Sequence, residues 1–515
     1  MTTWIIIGGG FSGTMTAAHL LRRVAAALSG GAPVDPVEIT LVERRPPAGR
    51  GAAYGTTCLS HLLNVSAGKM SALPEVPGDF IEWARRRDPK ARETDYLPRA
   101  WYGEYVQALL RDAESAAAPA GRLTCIDGEA AAIDLLSTDT SSESFDGVAR
   151  TDREPRGEGV VRLTNGRRLR GDRIVLALGN PTPAALPIHD SGHELDDRLI
   201  NDPWRADALA SLPPDAPLLL IGTGLTMLDL VLALEDAGHR RAITALSRRG
   251  LLPQVHAVPA APGTSPAPVA PFNPFAADPR GARPGSPVPS VRGLVHDVRR
   301  RAAEAVTQRG DWRGVVDGLR PITQQIWRSW NESERRRFLR HVRPYWEVHR
   351  HRVAPQIAHR IGEAVRSGWL RIVAGRLVDV RRQGDRLEVG VRRRGTDRRE
   401  SLPVSYIINC TGPDSDFGRS TDPLIRHLRE AALIQPDPLG LGLLTDERGA
   451  LLDSAGRPSR VLFTVGPLRK AQLWENTAVP ELRVQAADLA ARLWNERSAP
   501  ASQPNRATSV GTAQS

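Results

Sequence analysis

The sequence predicts an α/β protein with two Rossmann-like dinucleotide-binding folds, β-hairpin excursions and a helical insertion. Two observations lead to this class. A short apolar strand, a glycine turn and a helical pattern occur twice, as "WIIIGGGFSGTMTAAHLL" at residues 4–21 and "LLLIGTGLTMLDLVLAL" at residues 218–234. Each unit is answered further along by a β-rich stretch ending in an apolar strand that a glycine stops, Gly179 in the first half and Gly412 in the second. The halves share an order of elements without sharing sequence, which marks an architectural repeat. At 515 residues the chain has room for two or more domains with well-buried cores.

The first unit reads as a strand at 4–7, a turn at 8–13, a helix to about residue 28 and a strand at 37–42. The second reads as a strand at 218–221, a turn at 222–224, a helix to about residue 235 and the strand "AITALS". The first domain is expected to be discontinuous, from residues 1–205 and 413–498, and the second to combine 206–256 with 367–412. Residues 257–290, rich in Pro, Ala and Gly, read as a flexible or partly ordered loop, because so long a connection inside a compact protein is functional or disordered. Residues 291–366 read as a helical insertion. Val291, Leu294, Val295, Val298 and Ala302 share one helical face, as do Val315, Leu319, Ile322, Ile326 and Trp330, with Pro321 expected to kink or restart the second stretch. Residues 499–515 read as a disordered tail.

Each glycine of the first turn has a physical reason. Gly8 permits the tight bend, Gly10 lets a pyrophosphate reach the backbone, and Gly13 lets helix and strand approach. The amides at the helix start, Ser12 among them, then face the phosphates. Glu43 closes the next strand, where a carboxylate takes ribose hydroxyls. The second turn keeps Gly222 and Gly224 but has Met227 in the third place, and its next strand ends in Arg248 and Arg249. Arginine there pairs with a ribose 2′-phosphate that a carboxylate repels. One tightly held redox cofactor and one exchangeable hydride donor fit the pair, so FAD is expected at the first turn and NADPH at the second.

Composition narrows the classes further. The net charge is +11, carried almost wholly by arginine; lysine stands only at Lys69, Lys90 and Lys470. No zinc-finger spacing, RNA-binding signature or basic run with interleaved aromatics is present, so a nucleic-acid partner is not expected. Cys58, Cys125 and Cys410 lie far apart without a C-x-x-C pair, which argues against disulfide-reductase chemistry and for a reducing cytoplasm. The early first strand leaves no signal peptide to expect, and no run reaches the ~20 apolar residues of a membrane span.

The segments "GRGAAYG", "HLLNVSAGKMSA", "GTGLTMLDLVLAL", "SRRGLLP", "RPYWEVHRHRVAP" and "VGPLRKAQLWENTAVPELRVQ" stand in order along the chain. Together they resemble the bacterial FAD/NAD(P)-binding proteins with two dinucleotide-binding domains. That group includes an FAD-dependent urate hydroxylase and is akin to N-hydroxylating flavin monooxygenases. The resemblance spans nearly all of the chain outside the Pro-rich segment and the tail. It implies that Asn64, Gly466 and the Thr477–Ala478 pair lie beside the FAD. Where the resemblance leads to an expectation of proline, this chain has Ser66. The helix opening near Pro480 and Glu481 would point its amides at the flavin ring and stabilise its reduced form.

Over the flavin, the insertion brings Trp312, Trp327, Trp330 and Trp346, followed by "EVHRHR". Tryptophans at helical spacing are expected mainly as core, with Arg350 or Arg352 beside one of them as a grip on a planar anionic substrate. His349 and His351 are two apart and do not share a helix face, so no metal site is expected. No catalytic acid or base is assigned; the substrate-side candidates are Arg350, His351 and Trp474. The expected function is an FAD-dependent, NADPH-using monooxygenase acting with molecular oxygen on a small polar substrate, a urate-like heterocycle first. N-hydroxylation of an amine or amino acid, and an electron-passing reductase, are the alternatives.

Overall fold

The computed structural model describes residues 1–497 apart from 32, 137–156, 189–194, 196, 206–207, 258–289 and 309. All but the ends of the expected Pro-rich loop, and the whole expected tail, lie outside the described residues.

The N-terminal strand Thr2–Ile7 is the centre of a six-stranded sheet because its residues bury on both faces. Trp4 and Ile6 pack to one side, Ile5 and Ile7 to the other. Such two-sided burial is why parallel strands read as continuous apolar runs. The order across the sheet is Gly121–Asp127, Val37–Glu43, Thr2–Ile7, Arg173–Leu176, Pro458–Thr464 and Ala450–Leu452. The first five are parallel and the last is an antiparallel edge. Pro458–Thr464 comes from far along the chain, so the sheet is completed by C-terminal residues. One face carries the helices Phe11–Ser29, Arg99–Ala117 and Val479–Glu496. The other carries the antiparallel excursion Ala130–Leu136, Glu158–Leu163 and Arg168–Gly171, with the helix Pro423–Glu430.

A seven-stranded sheet repeats the pattern. Its order is Arg399–Val404, Arg386–Arg393, Leu370–Gln383, Ile243–Ser247, Leu218–Ile221, Tyr406–Asn409 and Leu199–Ile200. Leu370–Gln383 has two roles: Leu370 to Ala374 pair parallel with Ile243–Ser247, and beyond them the strand turns into the antiparallel excursion. The helices Leu225–Asp236 and Pro355–Arg366 cover one face. The last helix of the stretch expected as an insertion therefore packs on the second fold.

The insertion itself has its own core, formed by Val291, Leu294, Leu319, Ile326, Trp327, Trp330 and Phe338 together with Trp474 from the C-terminal region. Trp327 and Trp330 are buried, as their spacing led one to expect. Pro321 sits at the start of a 3-10 turn, Arg320–Ile322, that separates the helix Trp312–Gly318 from Thr323–Ser329. Caps mark the other starts: Ser290, Asp311 and Asn331 each accept a backbone amide of the helix that follows.

Candidate functional site

The first glycines of the two turns are held alike. Gly8 has φ +107°, and a Cβ there would lie 2.3 Å from the Ala177 carbonyl oxygen; Gly222 has φ +118°, and its Cβ would lie 2.4 Å from that of Cys410. Gly8 donates to Val42 O and Gly222 to Leu246 O, both at 2.8 Å. In each fold the residue behind the turn also bonds the first strand, Ala177 to Ile7 and Cys410 to Ile221, again at 2.8 Å. Gly13 is equally obligatory, since a Cβ would reach 1.9 Å from Gly8 O. In its place the second fold carries Met227, fully buried.

The middle glycines differ from these in kind. Around Gly10 the nearest neighbour to an added Cβ is Gly51 Cα at 3.8 Å, and around Gly224 nothing lies within 4 Å. Both are ordinary extended residues just before a helix, with φ −72° and −86°. The space in front of each turn is thus open, bounded by helix-start amides, as a bound pyrophosphate requires.

Glu43 is buried and uses both oxygens on the protein: Gly9 N donates to Oε2 at 2.6 Å and Arg45 N to Oε1 at 2.7 Å. It therefore stiffens the glycine turn, and its remaining lone pairs stay available to a ribose. Gly466, φ +90°, closes the site from the C-terminal strand, and a Cβ there would meet Ser12 Oγ at 2.9 Å. Asn476 Nδ2 donates to Gly466 O at 2.6 Å. Thr477 is exposed, and Ala478 precedes the helix Val479–Glu496, so that helix begins beside Gly466. Ser66 has φ −64°, the value proline would impose, so its presence leaves the loop before Ala67–Lys69 in the expected shape. Asn64 lies at the seam between the folds, its carbonyl accepting from His256 Nε2 at 2.9 Å.

At the second turn, Arg248 is exposed and Arg249 half-buried at the end of Ile243–Ser247. Sequence reading missed two companions. The Arg249 guanidinium lies 5.5 Å from the ring of Tyr345, and Arg249 and Arg394 together hold the Tyr345 phenol below its usual range. Tyr345 belongs to the insertion and Arg394 follows a hairpin strand, so only the fold assembles them.

The substrate-side candidates converge on a residue not singled out beforehand, Glu475. It is buried, with the left-handed φ of +69° that non-glycine residues seldom adopt. Trp346 Nε1 donates to its Oε1 at 2.6 Å, Arg350 Nε lies 3.3 Å from its Oε2, and His351 Nε2 lies 3.7 Å from Oε1. Burial lowers the His351 imidazole below its usual value, against the pull of Glu475. Trp474 is core, stacked on Trp327 at 4.7 Å and edge-on to Phe338 at 5.3 Å. Arg352 is engaged elsewhere: it pairs with Asp317 at 3.0 and 2.9 Å and donates to His349 O. Lys470, 5.1 Å from the Trp474 ring, is lowered to about 8 by burial and Arg343. The sequence signal for it was its rarity among arginines.

Fold and cradles together define a protein with two dinucleotide-binding folds in one chain. Residues 5–181 match the FAD-NAD(P)-binding family model, from the first strand to just past Gly179, so this part of the chain is an FAD/NAD(P)-binding domain. No curated protein sequence matches the chain. Among solved structures it is similar to ornithine hydroxylase from Pseudomonas aeruginosa, with 16% identity, 96% of this chain and 99% of that one covered, and a TM-score of 0.60. It is also similar to L-lysine 6-monooxygenase from Pseudomonas syringae, with 16% identity, 97% and 100% coverage and a TM-score of 0.60. A third likeness is to the FAD-bound cadaverine monooxygenase of desferrioxamine biosynthesis from Erwinia amylovora, with 12% identity, 99% and 98% coverage and a TM-score of 0.58. These likenesses establish the two-domain fold over the described part of the chain. Among the described residues no helix is long and apolar enough to cross a membrane.

Proposed function

We propose that the chain is an FAD-dependent, NADPH-using monooxygenase that hydroxylates the nitrogen of an amine. The observation that carries this is the pair of open glycine cradles in one chain whose two-domain fold is similar to that of the ornithine and lysine hydroxylases above. The amine reading takes precedence over a urate-like heterocycle, because the three solved structures above are named for ornithine, lysine and cadaverine.

When bound, FAD supplies two-electron redox chemistry and the activation of oxygen. The chain's own part is binding and exclusion. Amides of the turn Gly8 to Gly13 would hold the FAD pyrophosphate and Glu43 its ribose, with Gly466 giving the clearance. Asn64 and the Thr477–Ala478 amides would face the ring system. Gly224 and the helix Leu225–Asp236 would hold the NADPH pyrophosphate, and Arg248 and Arg249 its 2′-phosphate. The packed Trp327, Trp330, Phe338 and Trp474 cluster would keep water from the reacting centre.

The test uses the purified full chain. It should be yellow, lose that colour with NADPH without air, and consume NADPH faster in air with ornithine, lysine or cadaverine, forming a product heavier by one oxygen. A protein that neither retains flavin nor is reduced by NADPH overturns the proposal. So does turnover on urate with no amine in the panel accepted.

A further inference from the structure

The C-terminal helix Val479–Glu496 and residues 320–324 enclose a cavity of about 890 Å³, within the range of small-molecule sites. Glu475 lines one end of it, so the cavity runs from the surface to the residue on which the substrate-side candidates converge. Its wall has unmet hydrogen-bonding needs. Gln485 is 8% exposed and donates through Nε2 to Asn476 Oδ1, leaving its Oε1 buried without a donor. Arg469 is 5% exposed; its Nη2 reaches Gln472 Oε1 and the Glu447 carbonyl, while its Nε has no acceptor. A buried polar atom without a partner costs roughly 1–3 kcal/mol, and such atoms in a native protein call for a ligand or water.

The wall is also ordered by charge. The charged pairs around the cavity are engaged with one another: Arg320 binds Glu481 at 2.7 Å, and Arg492 binds Glu496 at 2.8 Å and Asp446 at 3.0 Å. What is left without a partner in the buried wall is one acceptor, Gln485 Oε1, and one donor, Arg469 Nε.

We propose that this cavity is the substrate's binding site. It would take a linear aliphatic amine whose ammonium end lies toward Glu475 and Gln485 and whose far end offers an acceptor to Arg469 or Arg448. This rests on the amine-hydroxylase reading and adds where the amine sits and what positions it. Gln485 is the positioning residue: it is tied to Asn476, which in turn holds Gly466. The strained Glu475 ends the cavity beside the helix start that would face the flavin.

The test compares the FAD-loaded wild type with Val484→Trp and Gln485→Leu. Val484 is 43% exposed and lines the cavity, so the indole fills the space without touching the core. L-lysine, L-ornithine and cadaverine are titrated into each protein by calorimetry, and flavin reduction by NADPH is timed without amine. The expected result is binding of L-lysine and L-ornithine, whose carboxylates supply the acceptor, to wild type, with weaker binding of cadaverine, which has none; both amino acids bind at least tenfold more weakly to the two variants, and reduction by NADPH is unchanged in Val484→Trp. Undiminished binding in Val484→Trp, or no binding of any of the three to wild type, overturns the site. Binding that Val484→Trp abolishes, with no hydroxylated product from wild type, leaves the site standing and overturns the monooxygenase reading.

Discussion

Arg99 of the first fold grips Asp229 of the second through two hydrogen bonds of 2.7 and 3.1 Å. Both are largely buried, and each anchors more than the pair. Arg99 Nε donates to Leu62 O, and His61 Nε2 lies 2.9 Å from the carbonyl of Asp229 itself. Asp229 is on the helix that begins at the second glycine turn, so this contact sets how one cradle faces the other. Removing one partner leaves a buried charge without compensation. Asp229→Ala should therefore cost about 3 kcal/mol in chemical denaturation. It should also slow flavin reduction by NADPH, while flavin content stays near one per chain. An unchanged reduction rate would mean that the seam does not orient the domains.

The cradles make a second, paired prediction. Gly8→Ala puts a methyl group 2.3 Å from a carbonyl oxygen in a backbone conformation alanine avoids, so the fold itself should suffer. Gly10→Ala puts a methyl group at ordinary contact, 3.8 Å from Gly51 Cα, at an ordinary φ, so the chain should fold with a near-native circular dichroism spectrum and yet lose flavin as the methyl group enters the space in front of the turn. The same contrast should hold for Gly222→Ala and for Gly224→Val, the latter retaining flavin and losing NADPH binding. Flavin content and NADPH titration read both outcomes.

Coenzyme choice follows from the strand end. Arg248→Ala with Arg249→Ala removes the exposed Arg248 cation and the Arg249 cation beside Tyr345. A charge-assisted bond contributes ~1.5–3 kcal/mol, so the preference for NADPH over NADH should fall roughly ten- to hundredfold. The measurement is kcat/KM for each coenzyme. Arg394→Ala alone should give a smaller loss of the same sign, because Arg394 shares Tyr345 with Arg249.

The parts legible in the sequence are those written in local pattern. Gly8 and Gly13 announce by their spacing the close backbone approaches found there, and Gly10 the space in front of the turn; Glu43, Arg248 and Arg249 stand at the strand ends where the pattern put them. Pro321 broke its helix as a ring without an amide must. The illegible parts depend on long closures. Arg99 and Asp229 are 130 residues apart, and nothing local in either segment names the other. Glu475 is one carboxylate among many until the fold brings Trp346, Arg350 and His351 to it. Arg352 looked equivalent to Arg350 in sequence; the helix ends at Arg350, and the chain beyond it turns Arg352 to Asp317 instead.

Acid should weaken the first fold through His19, which the helix Phe11–Ser29 buries to 7% exposure with its Nε2 unbonded. Burial lowers this imidazole to about 4; Glu75 pulls it up, and Arg22 and Arg23 push it down. The folded chain therefore holds His19 neutral where the unfolded chain, with a value near 6.5, takes a proton. Between pH 6.5 and 4 the unfolded state binds more protons, so stability falls as the pH falls through that window and is flat in this respect above it. A gap of about 2.5 between the two values corresponds to roughly 3 kcal/mol. His19→Leu keeps an apolar body in the site and removes the proton acceptor. Urea titrations of wild type and His19→Leu at pH 7 and pH 5 should show the wild type losing more stability on acidification than His19→Leu. Equal losses in both would show that His19 is hydrated in the folded chain.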